Sequence, residues 1–397
     1  MPAAGRVRRV SDRPYDIVLF GATGFTGQLT AEYLAAHAPA SARIALAGRN
    51  LGKLEGVASG LSREFPLLVA DSSNAASLLE LARSTAVIVT TVGPYLAYGE
   101  PQVAACAAAG TGYLDLTGEP EFVDAMYLKH NARAVETGAR LVHACGFDSI
   151  PYDLGSLFVV NHLPEGAPIA VNGYMRMGGT FSGGTYHSAV GAMSRLRSSA
   201  RVARDRRRAE TVASPLAAGR KVHSAAGRPH NEPLAGGWVV PVPTIDPQIV
   251  LRSARALERY GPDFSYGHYI VTKSATTTGM LIGGAGALVA LSQLPPTRAL
   301  LLKVKSPGDG PDAEQRAKSR FTLRLVGDAP GTRVVVELTG GDPGYGETAK
   351  MLSEAALCMA FDDVPARGGQ LTTAVALGQP LIDRLAAAGL EYRVVDA

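Results

Sequence analysis

The chain has 397 residues, of which 46% are hydrophobic and 19% are charged, and its formal net charge is +4. This composition excludes a disordered or fibrous chain, and the length allows two domains with separate cores. The small net charge excludes a general attraction to nucleic acid.

Cysteine usage and the amino-terminal sequence indicate a cytoplasmic protein. The three cysteines, Cys106, Cys145 and Cys358, are odd in number and far apart in the chain. This argues against a disulfide framework and favours a reducing compartment. The basic residues near the start are not followed by an apolar segment, so we expect no secretory signal peptide.

The first predicted strand leads directly into a glycine-rich loop. Asp16–Phe20 is apolar, and Gln28–Ala38 has the apolar spacing of a helix. A glycine loop between a strand and a helix is typical of dinucleotide binding, because the helix N-terminus presents free N–H groups to a diphosphate. The alternative is a purely structural turn. The cofactor-binding residues predicted here are Gly21, Ala22, Thr23, Gly24, Phe25, Thr26 and Gly27.

The end of the second predicted strand, Arg43–Ala47, indicates which dinucleotide binds. An acidic residue at this place would hold the ribose 2′-hydroxyl of NAD, but Arg49 stands there. A guanidinium can bind a 2′-phosphate through two hydrogen bonds, which favours NADP(H). The alternative is a solvated arginine after a strand.

Two further strand ends complete the predicted cleft. Pro66–Ala70 ends at Asp71, which we expect near adenine, and Ala86–Thr90 ends at a loop expected near the nicotinamide. That loop contributes Thr91, Val92, Gly93 and Pro94. Ligands of doubly wound sheets collect beyond the carboxyl ends of the strands, so these loops should line one cleft.

The fold class predicted is α/β: an N-terminal Rossmann-type, doubly wound parallel sheet with a second, mixed α+β domain. Residues 1–150 would form the NADP-binding domain and residues 151–340 the substrate domain. Strands are predicted at Val171–Met177, Phe321–Val326 and Arg333–Leu338, the last two as an antiparallel pair. Residues 341–397 would form a helical segment that packs back on the first domain.

Two polar segments of the second half each have two interpretations. Gly178–Thr185 is rich in glycine and hydroxyl groups, which fits either a close approach to ligand or a simple turn. Arg195–Arg208 contains seven arginines. They form either a solvated helix face or a surface for an acidic carrier protein or anionic lipid.

The uncharged segment Gly279–Leu294 has three interpretations. It is 16 residues long, shorter than the about 20 that a spanning helix needs, so we do not expect a transmembrane segment. It could be a buried core helix, a wall of an acyl-chain pocket, or a shallow membrane-docking element. Arg298, Lys303 and Lys305 would suit lipid headgroups in the last case.

The sequence lacks the motifs of several classes of enzyme. The sequence has no HExxH, no CxxC and no paired histidines at ligand spacing, so no metal site is predicted. Nucleophile-elbow and Walker A sequences are also missing. Tyr269 and Lys273 form a Y-x-x-x-K pair, but their segment reads as a strand, and we interpret the match as chance.

A reductase of an enoyl or imine group needs a proton donor besides the nicotinamide cofactor. Tyr95 lies beside the expected nicotinamide loop, and Asp148 and Tyr152 follow another strand end. These three are the predicted catalytic residues. Asp148 has an alternative role as a helix cap, since Ser149 and Pro151 are typical of a helix start.

Five segments together resemble the saccharopine dehydrogenase-like oxidoreductases, and most of all the actinobacterial trans-acting enoyl reductases. They are GATGFTG at Gly21–Gly27, AGR at Ala47–Arg49, Thr91–Glu119, CGFDSIPYDLG at Cys145–Gly155 and GDPGYGETAKMLSEAALCMA at Gly341–Ala360. The resemblance covers nearly the whole chain, including Gly368–Gly389.

The resemblance implies an NADPH-dependent reductase of a lipid-like or polyketide-type acyl substrate, carried by a separate polyketide synthase. It leaves open a saccharopine dehydrogenase-like amino-acid oxidoreductase and a non-catalytic, lipid-associated scaffold. Peripheral contact with the inner face of the cell membrane and a homo-oligomer are further expectations.

Overall fold

The computed structural model describes residues 12–178, 190–191, 195–213, 219–225, 227–303 and 313–395. Its first sheet is wholly parallel, with strands in the order β14-β6-β5-β4-β1-β2-β3. Labels follow chain order: β1 Tyr15–Phe20, β2 Ile44–Gly48, β3 Leu67–Val69, β4 Thr85–Thr90, β5 Gly112–Asp115, β6 Arg140–Val142 and β14 Gly369–Leu371. The Rossmann-type doubly wound sheet is confirmed.

Several helices between these strands begin and end at typical capping residues. They are α1 Phe25–His37, α2 Leu51–Ala58, α3 Ala75–Ser84, α4 Tyr95–Tyr98, α5 Glu100–Ala109 and α6 Pro120–Thr137. Asn50 and Asn74 cap α2 and α3 by accepting hydrogen bonds from free N–H groups. Gly110 ends α5 at a φ of 67°, in the left-handed region that favours glycine.

The second sheet is mixed, in the order β15-β13-β12-β7-β11-β10-β9, with β8 beside β11. Only the β7–β11 and β8–β11 pairs are parallel among those described. Its strands are β7 Ile169–Met177, β8 Lys221–Ser224, β9 His230–Glu232, β10 Gly237–Pro241, β11 Asp263–Thr272, β12 Phe321–Ala329, β13 Thr332–Gly340 and β15 Tyr392–Val395. The antiparallel pair expected near residues 321–338 is β12–β13. The second, mixed α+β domain is confirmed.

Helices of the second half pack on both sheets. They are α7 Ile150–Asn161, α8 Leu196–Ala213, α9 Asp246–Ala256, α10 Ala275–Gln293, α11 Pro295–Leu301, α12 Ala313–Lys318, α13 Gly346–Phe361, α14 Thr373–Ala376 and α15 Gly378–Ala387. Short 3-10 turns lie at Pro233–Ala235 and Glu258–Tyr260.

The carboxy-terminal part of the chain contributes strands to both sheets. Helix α13 packs on α1 and buries Met351, Leu352 and Ala355. Strand β14 extends the parallel sheet beside β6, whereas β15 pairs with β13 of the second sheet. Residues 341–395 therefore pack against the parallel sheet and also contribute a strand to each sheet.

One polar anchor joins the elements between the two sheets. The carboxylate of Asp153 is fully buried in α7 and accepts hydrogen bonds from Ser253 Oγ at 2.5 Å, Thr373 Oγ1 at 2.7 Å and the Ala374 N–H at 2.8 Å. Burial raises the pKa of this carboxyl to about 6. Helices α7, α9 and α14 are thereby held together.

The arginine-rich helix α8 is only partly solvated. Arg206 is buried, and its guanidinium binds Asp124 Oδ1 of α6 at 2.7 Å and also Glu210. Glu210 in turn accepts a hydrogen bond from Arg252 at 2.9 Å. The interpretation of a purely solvated face is therefore wrong for Arg206, although Arg204 and Arg208 are exposed.

The segment Gly279–Leu294 lies in α10, and the core-helix interpretation is wrong. The helix runs from Ala275 to Gln293, and Met280 keeps 73% of its surface exposed. Within the described residues, α10 is the helix long and apolar enough to cross a membrane. Its 19 residues exceed the 16 of the uncharged segment, so length alone does not exclude a span.

Candidate functional site

The glycine loop has the geometry of a diphosphate cradle. Gly21 has a φ of 93°, and a Cβ there would lie 2.8 Å from Thr91 Oγ1 and Val92 Cγ2. A Cβ on Gly27 would overlap the carbonyl oxygen of Gly21, so this glycine allows α1 to pack against the loop. Gly24 has an ordinary φ of −79°, and its nearest contact would be 3.4 Å away. No protein atom excludes a side chain at Gly24, so packing within the protein does not require glycine there.

The start of α1 leaves its N–H groups available. Gly24 is the N-cap and provides no side-chain hydrogen bond to the first turn. Free N–H groups and the positive end of the helix dipole attract a phosphate. The residues present therefore fit the diphosphate of a dinucleotide.

The loop Thr91–Pro94, which is expected near the nicotinamide, lies directly against the glycine loop. Thr91 Oγ1 donates a hydrogen bond to the Gly21 carbonyl at 3.0 Å. The Val92 N–H donates to Thr90 Oγ1 at 3.2 Å, and the Gly93–Pro94 peptide bond is cis. The two loops thus form adjoining walls at the carboxyl ends of β1 and β4.

Arg49 and Asp71 stand at the neighbouring strand ends. Arg49 is exposed, and no hydrogen bond from its side chain occurs within the described ranges. Asp71 accepts hydrogen bonds from the N–H and Oγ of Ser73, and these bonds, aided by the nearby charge of Arg49, lower the pKa of its carboxyl. Arg49 is thus free to bind a phosphate, whereas the Asp71 carboxylate is used to shape its own loop.

Tyr95 has a structural position. Its ring is buried, and its hydroxyl donates to the Thr90 carbonyl at 3.1 Å and accepts from the Leu116 N–H at 3.2 Å. These bonds join the ends of β4 and β5. Burial, with the nearby charge of Asp115, raises the pKa of the hydroxyl well above its usual range.

Asp148 and Tyr152 lie together beyond β6. Asp148 is an exposed residue, and its carboxylate lies close to Gly118. Its protein surroundings still desolvate it and raise the pKa to about 6. Ser149, and not Asp148, is the N-cap of α7. Burial, together with the charge of Asp246, raises the pKa of Tyr152 well above its usual range.

A buried polar cluster packs against Tyr152, and no local sequence pattern predicts it. The Tyr152 ring meets the His268 ring edge-on at 4.7 Å. His268 Nε2 lies 3.5 Å from Asp246 Oδ2, and its Nδ1 lies 3.3 Å from the Tyr266 hydroxyl. Burial lowers the pKa of His268 to about 3, and burial with the charge of Asp148 raises that of Asp246. Burial thus disfavours the charged form of both groups in this cluster.

A second missed pair fixes the loop that carries Asp148. Asp115 is fully buried and accepts hydrogen bonds from His143 Nδ1 at 2.6 Å, the Tyr113 hydroxyl at 2.9 Å and the Ala144 N–H at 2.9 Å. Ala144 has a φ of 59°, which is uncommon for a residue with a side chain. Such local strain is typical of functional loops.

The carboxy-terminal half also reaches the glycine loop. The Phe25 ring meets the Tyr345 ring edge-on at 4.7 Å, and the Arg316 guanidinium lies 5.5 Å from the centre of the Phe25 ring. Tyr345 belongs to the GDPGY segment, whose Asp342 caps α13 through the Tyr345 and Gly346 N–H groups. The cleft is therefore bordered by both halves of the chain.

The remaining candidates lie apart from this cleft or outside the described residues. Tyr269 is in β11 and donates its hydroxyl proton to the Ala225 carbonyl, so it does not pair with Lys273. Of Gly178–Thr185, only Gly178 is described. In the described parts of the chain, no three metal-binding side chains come together.

Comparison with known proteins identifies the chain's relatives. Residues 17–142 match the saccharopine dehydrogenase NADP binding domain. A Mycobacterium tuberculosis protein described as a candidate trans-acting enoyl reductase is 38% identical, with 96% of this chain and 97% of the relative covered. The trans-acting enoyl reductase of Mycobacterium ulcerans is 36% identical over the same shares.

Among solved structures, saccharopine dehydrogenase (L-Glu forming) from Saccharomyces cerevisiae matches with a TM-score of 0.56. The match covers 96% of this chain and all of the yeast chain at 12% identity, which shows a shared fold. With the NADP-binding match and the mycobacterial relatives, the cleft is that of an NADP(H)-dependent oxidoreductase. The chain belongs to the saccharopine dehydrogenase-like family, in the group of the trans-acting enoyl reductases.

Proposed function

We propose that the protein reduces the carbon–carbon double bond of an enoyl chain that a polyketide-type synthase carries as a thioester. The observation that carries this proposal is the similarity to trans-acting enoyl reductases over 96% of the chain, which includes both the cofactor loops and the second domain. The open cleft bordered by both halves gives such a substrate a place beside the cofactor.

Three groups of residues would hold NADPH. The loop Gly21–Gly27 takes the diphosphate, Arg49 takes the 2′-phosphate, and the loop Thr91–Pro94 supports the nicotinamide. Bound in this way, NADPH supplies a hydride to the β-carbon of the enoyl thioester. The hydrogen bond from Thr91 Oγ1 to the Gly21 carbonyl would hold these two loops together around the cofactor.

The α-carbon of the substrate then needs one proton, and Asp148 is the group we assign to deliver it. It follows the carboxyl end of β6, and its raised pKa of about 6 leaves a fraction protonated near neutral pH. The hydride and this proton add across the double bond and give the saturated thioester. The carboxylate regains its proton from solvent, to which it is open.

Tyr152 is the positioning residue in this proposal. It is buried between Asp148 and the cluster of Asp246 and His268. That cluster places no cation beside Asp148, so nothing there lowers the pKa of its carboxyl. Tyr95 is assigned to the framework, because both of its hydroxyl hydrogen bonds go to backbone groups.

The carrier protein that presents the substrate would bind α8. Arg204, Arg207 and Arg208 are exposed on this helix, while Arg206 fixes the helix to α6 through Asp124. An exposed cationic surface on a firmly held helix suits an acidic carrier domain.

The direct test measures NADPH oxidation with an enoyl group attached to a carrier protein, using purified protein. We expect turnover with the enoyl thioester, none with the saturated thioester, and a strong loss in Asp148→Asn with NADPH binding retained. Turnover with 2-oxo acids and amines instead would point to amino-acid oxidoreductase chemistry. Tight NADPH binding without turnover on any enoyl thioester would refute the proposal.

A further inference from the structure

Helix α10 reverses the usual pattern of a helix in a water-soluble fold. Thr278 and Ser292 are its buried residues, whereas its large apolar side chains are exposed. Met280 is 73% exposed, and Leu281, Ile282 and Leu291 are exposed as well. A contiguous apolar surface of this kind marks a contact with a partner or a membrane.

The exposed apolar side chains lie on more than one side of the helix. Met280, Leu281 and Ile282 are consecutive, and since each residue turns the helix by about 100°, their side chains point to three different sides. Hypothetical Cβ atoms on Gly279, Gly283, Gly284 and Gly286 would meet no atom within 4 Å. A protein partner would cover only one face of the helix. The acyl layer of a membrane can contact several faces of a helix that enters it, so exposed apolar side chains on several faces favour lipid.

The topology limits how α10 can enter a bilayer. Strand β11 ends at Thr272, just beyond Ile270, which pairs with Met175 of β7. Strand β12 begins at Phe321, which pairs with Met177 of the same strand. The chain therefore leaves and rejoins the second sheet at one end of it. Residues 303–320 are rich in charge and could not recross a hydrocarbon layer, so a single span is excluded.

Polar and cationic groups stand at both ends of the helix. Lys273 precedes α10, and Arg298 and Lys303 follow it in and after α11, while residues 274–297 have no charge. Lys305 lies outside the described residues. Trp238 pairs with Thr272 at the foot of α10, where Thr272 Oγ1 lies 2.6 Å from Thr278 Oγ1. Tryptophan and basic residues favour the headgroup layer of a membrane.

We propose that α10 and α11 form a monotopic membrane anchor that binds bilayers containing anionic lipid. The helix lies along the surface with residues 279–291 in the outer acyl layer and both ends among the headgroups. Trp238, Arg298 and Lys303 lie at headgroup level. The anchor is independent of the identity of the substrate.

The test is flotation of the full-length protein with vesicles of phosphatidylcholine alone or mixed with phosphatidylglycerol. We expect flotation with the mixed vesicles, weakened by salt. Trp238 is the only tryptophan, so its emission should shift to the blue and be quenched by brominated lipid. Met280→Gln/Ile282→Gln should lower the partition coefficient at least tenfold, because two exposed apolar side chains are replaced without a change in charge.

Val212→Gln is the matched control, because Val212 is 88% exposed on α8 and outside the anchor. It should float like the wild type, and both variants should keep NADPH binding, which shows that the fold is intact. Equal flotation of the Met280/Ile282 variant and the wild type would overturn the proposal. So would a wild type that ignores vesicles but forms a dimer that this variant loses, since the helix would then contact a second copy.

Discussion

Gly24 and Gly27 lie one helical turn apart in the same loop, yet the space around them differs. A methyl group on Gly27 would overlap the Gly21 carbonyl, which is backbone and cannot move aside. We therefore expect Gly27→Ala to lower the free energy of unfolding by about 1–3 kcal/mol. Gly24→Ala has room for its methyl group and should unfold like the wild type, but lose at least tenfold in NADPH affinity.

Urea unfolding and NADPH fluorescence titration measure the two effects separately. Each variant serves as the control for the other, since both add one methyl group to the same loop. Equal stability losses in the two variants would contradict the different roles assigned to the two glycines.

Arg49 should decide between the two nicotinamide cofactors. Its side chain has no hydrogen-bond partner among the described residues and stands where the 2′-phosphate is expected. Arg49→Ala should remove a preference for NADPH of at least tenfold, equivalent to about 1.4 kcal/mol. Fluorescence titration with NADPH and NADH checks this, and the affinity for NADH should stay unchanged. An equal loss for both cofactors would show that Arg49 acts on something other than the 2′-phosphate.

The proposed role of Asp148 as proton donor implies a direction for the pH dependence of the rate. The carboxyl donates a proton only when protonated, and its pKa is raised to about 6. The rate of hydride transfer should therefore be level below pH 6 and decrease above it, by about tenfold per pH unit. Single-turnover measurements over this range check the prediction. Tyr152→Phe should keep the decrease, whereas Asp148→Asn should be slow at every pH, and a wild-type rate that is level to pH 8 would exclude Asp148.

The sequence predicts local backbone geometry at the site better than it predicts side-chain duties. The glycine loop and Arg49 are recognisable because each follows a strand in one continuous segment. Tyr95 lies in such a segment too, but its hydrogen bonds to Thr90 and Leu116 become visible only when β4 and β5 are placed side by side. Asp246 and His268 come from distant elements, and no local pattern relates them to Tyr152.

At the scale of elements, α8 shows how one helix can serve both the fold and a partner. Arg206 is buried with Asp124 and Glu210, so its removal would leave two buried carboxylates with one charge partner fewer. Arg204 and Arg208 lie one turn apart and are exposed. The arginines of this helix therefore differ in role: Arg206 holds the helix to the fold, whereas others face solvent. The charge pattern of the sequence does not distinguish them.

We expect Arg204→Glu/Arg208→Glu to raise KM at least tenfold for an enoyl chain on its carrier protein. KM for the same chain on a small thiol should stay unchanged, because only the carrier would touch α8. Steady-state kinetics with both substrates measure the difference. Arg83→Glu is the control for a general change of charge, because Arg83 is an exposed residue of α3. A similar rise in KM for both substrates would argue against a carrier site on α8.

At the scale of the whole molecule, the sequence predicts both sheets but not how the carboxy terminus divides between them. Strands β14 and β15 have three and four residues, too short for a clear pattern, and both are defined by their partners. The three interpretations of the segment in α10 could not be separated from the sequence for a related reason. The apolar composition of this helix is common to core helices and membrane-binding helices, and only its exposure distinguishes them.

The first domain is covered by residues from the far end of the chain. Helix α13 packs on α1 and on β1, β4 and β5, and β14 covers the edge of β6. We expect a fragment of residues 1–150 to aggregate and to bind NADPH poorly, because it exposes an apolar sheet face and an open strand edge. Soluble yield and NADPH titration check this, with the full-length chain as reference. A soluble fragment with full affinity would contradict the expected dependence.

This covering of β6 by β14 also sets an order of events on the ribosome. At a synthesis rate of about 5–20 residues per second, roughly 10–45 s separate the emergence of the two strands. During that interval the nascent first domain has an unprotected edge, and chaperones that bind exposed strands have time to act on it. The nucleotide cleft is completed only when translation is nearly finished, so truncated chains would not sequester NADPH in the cell.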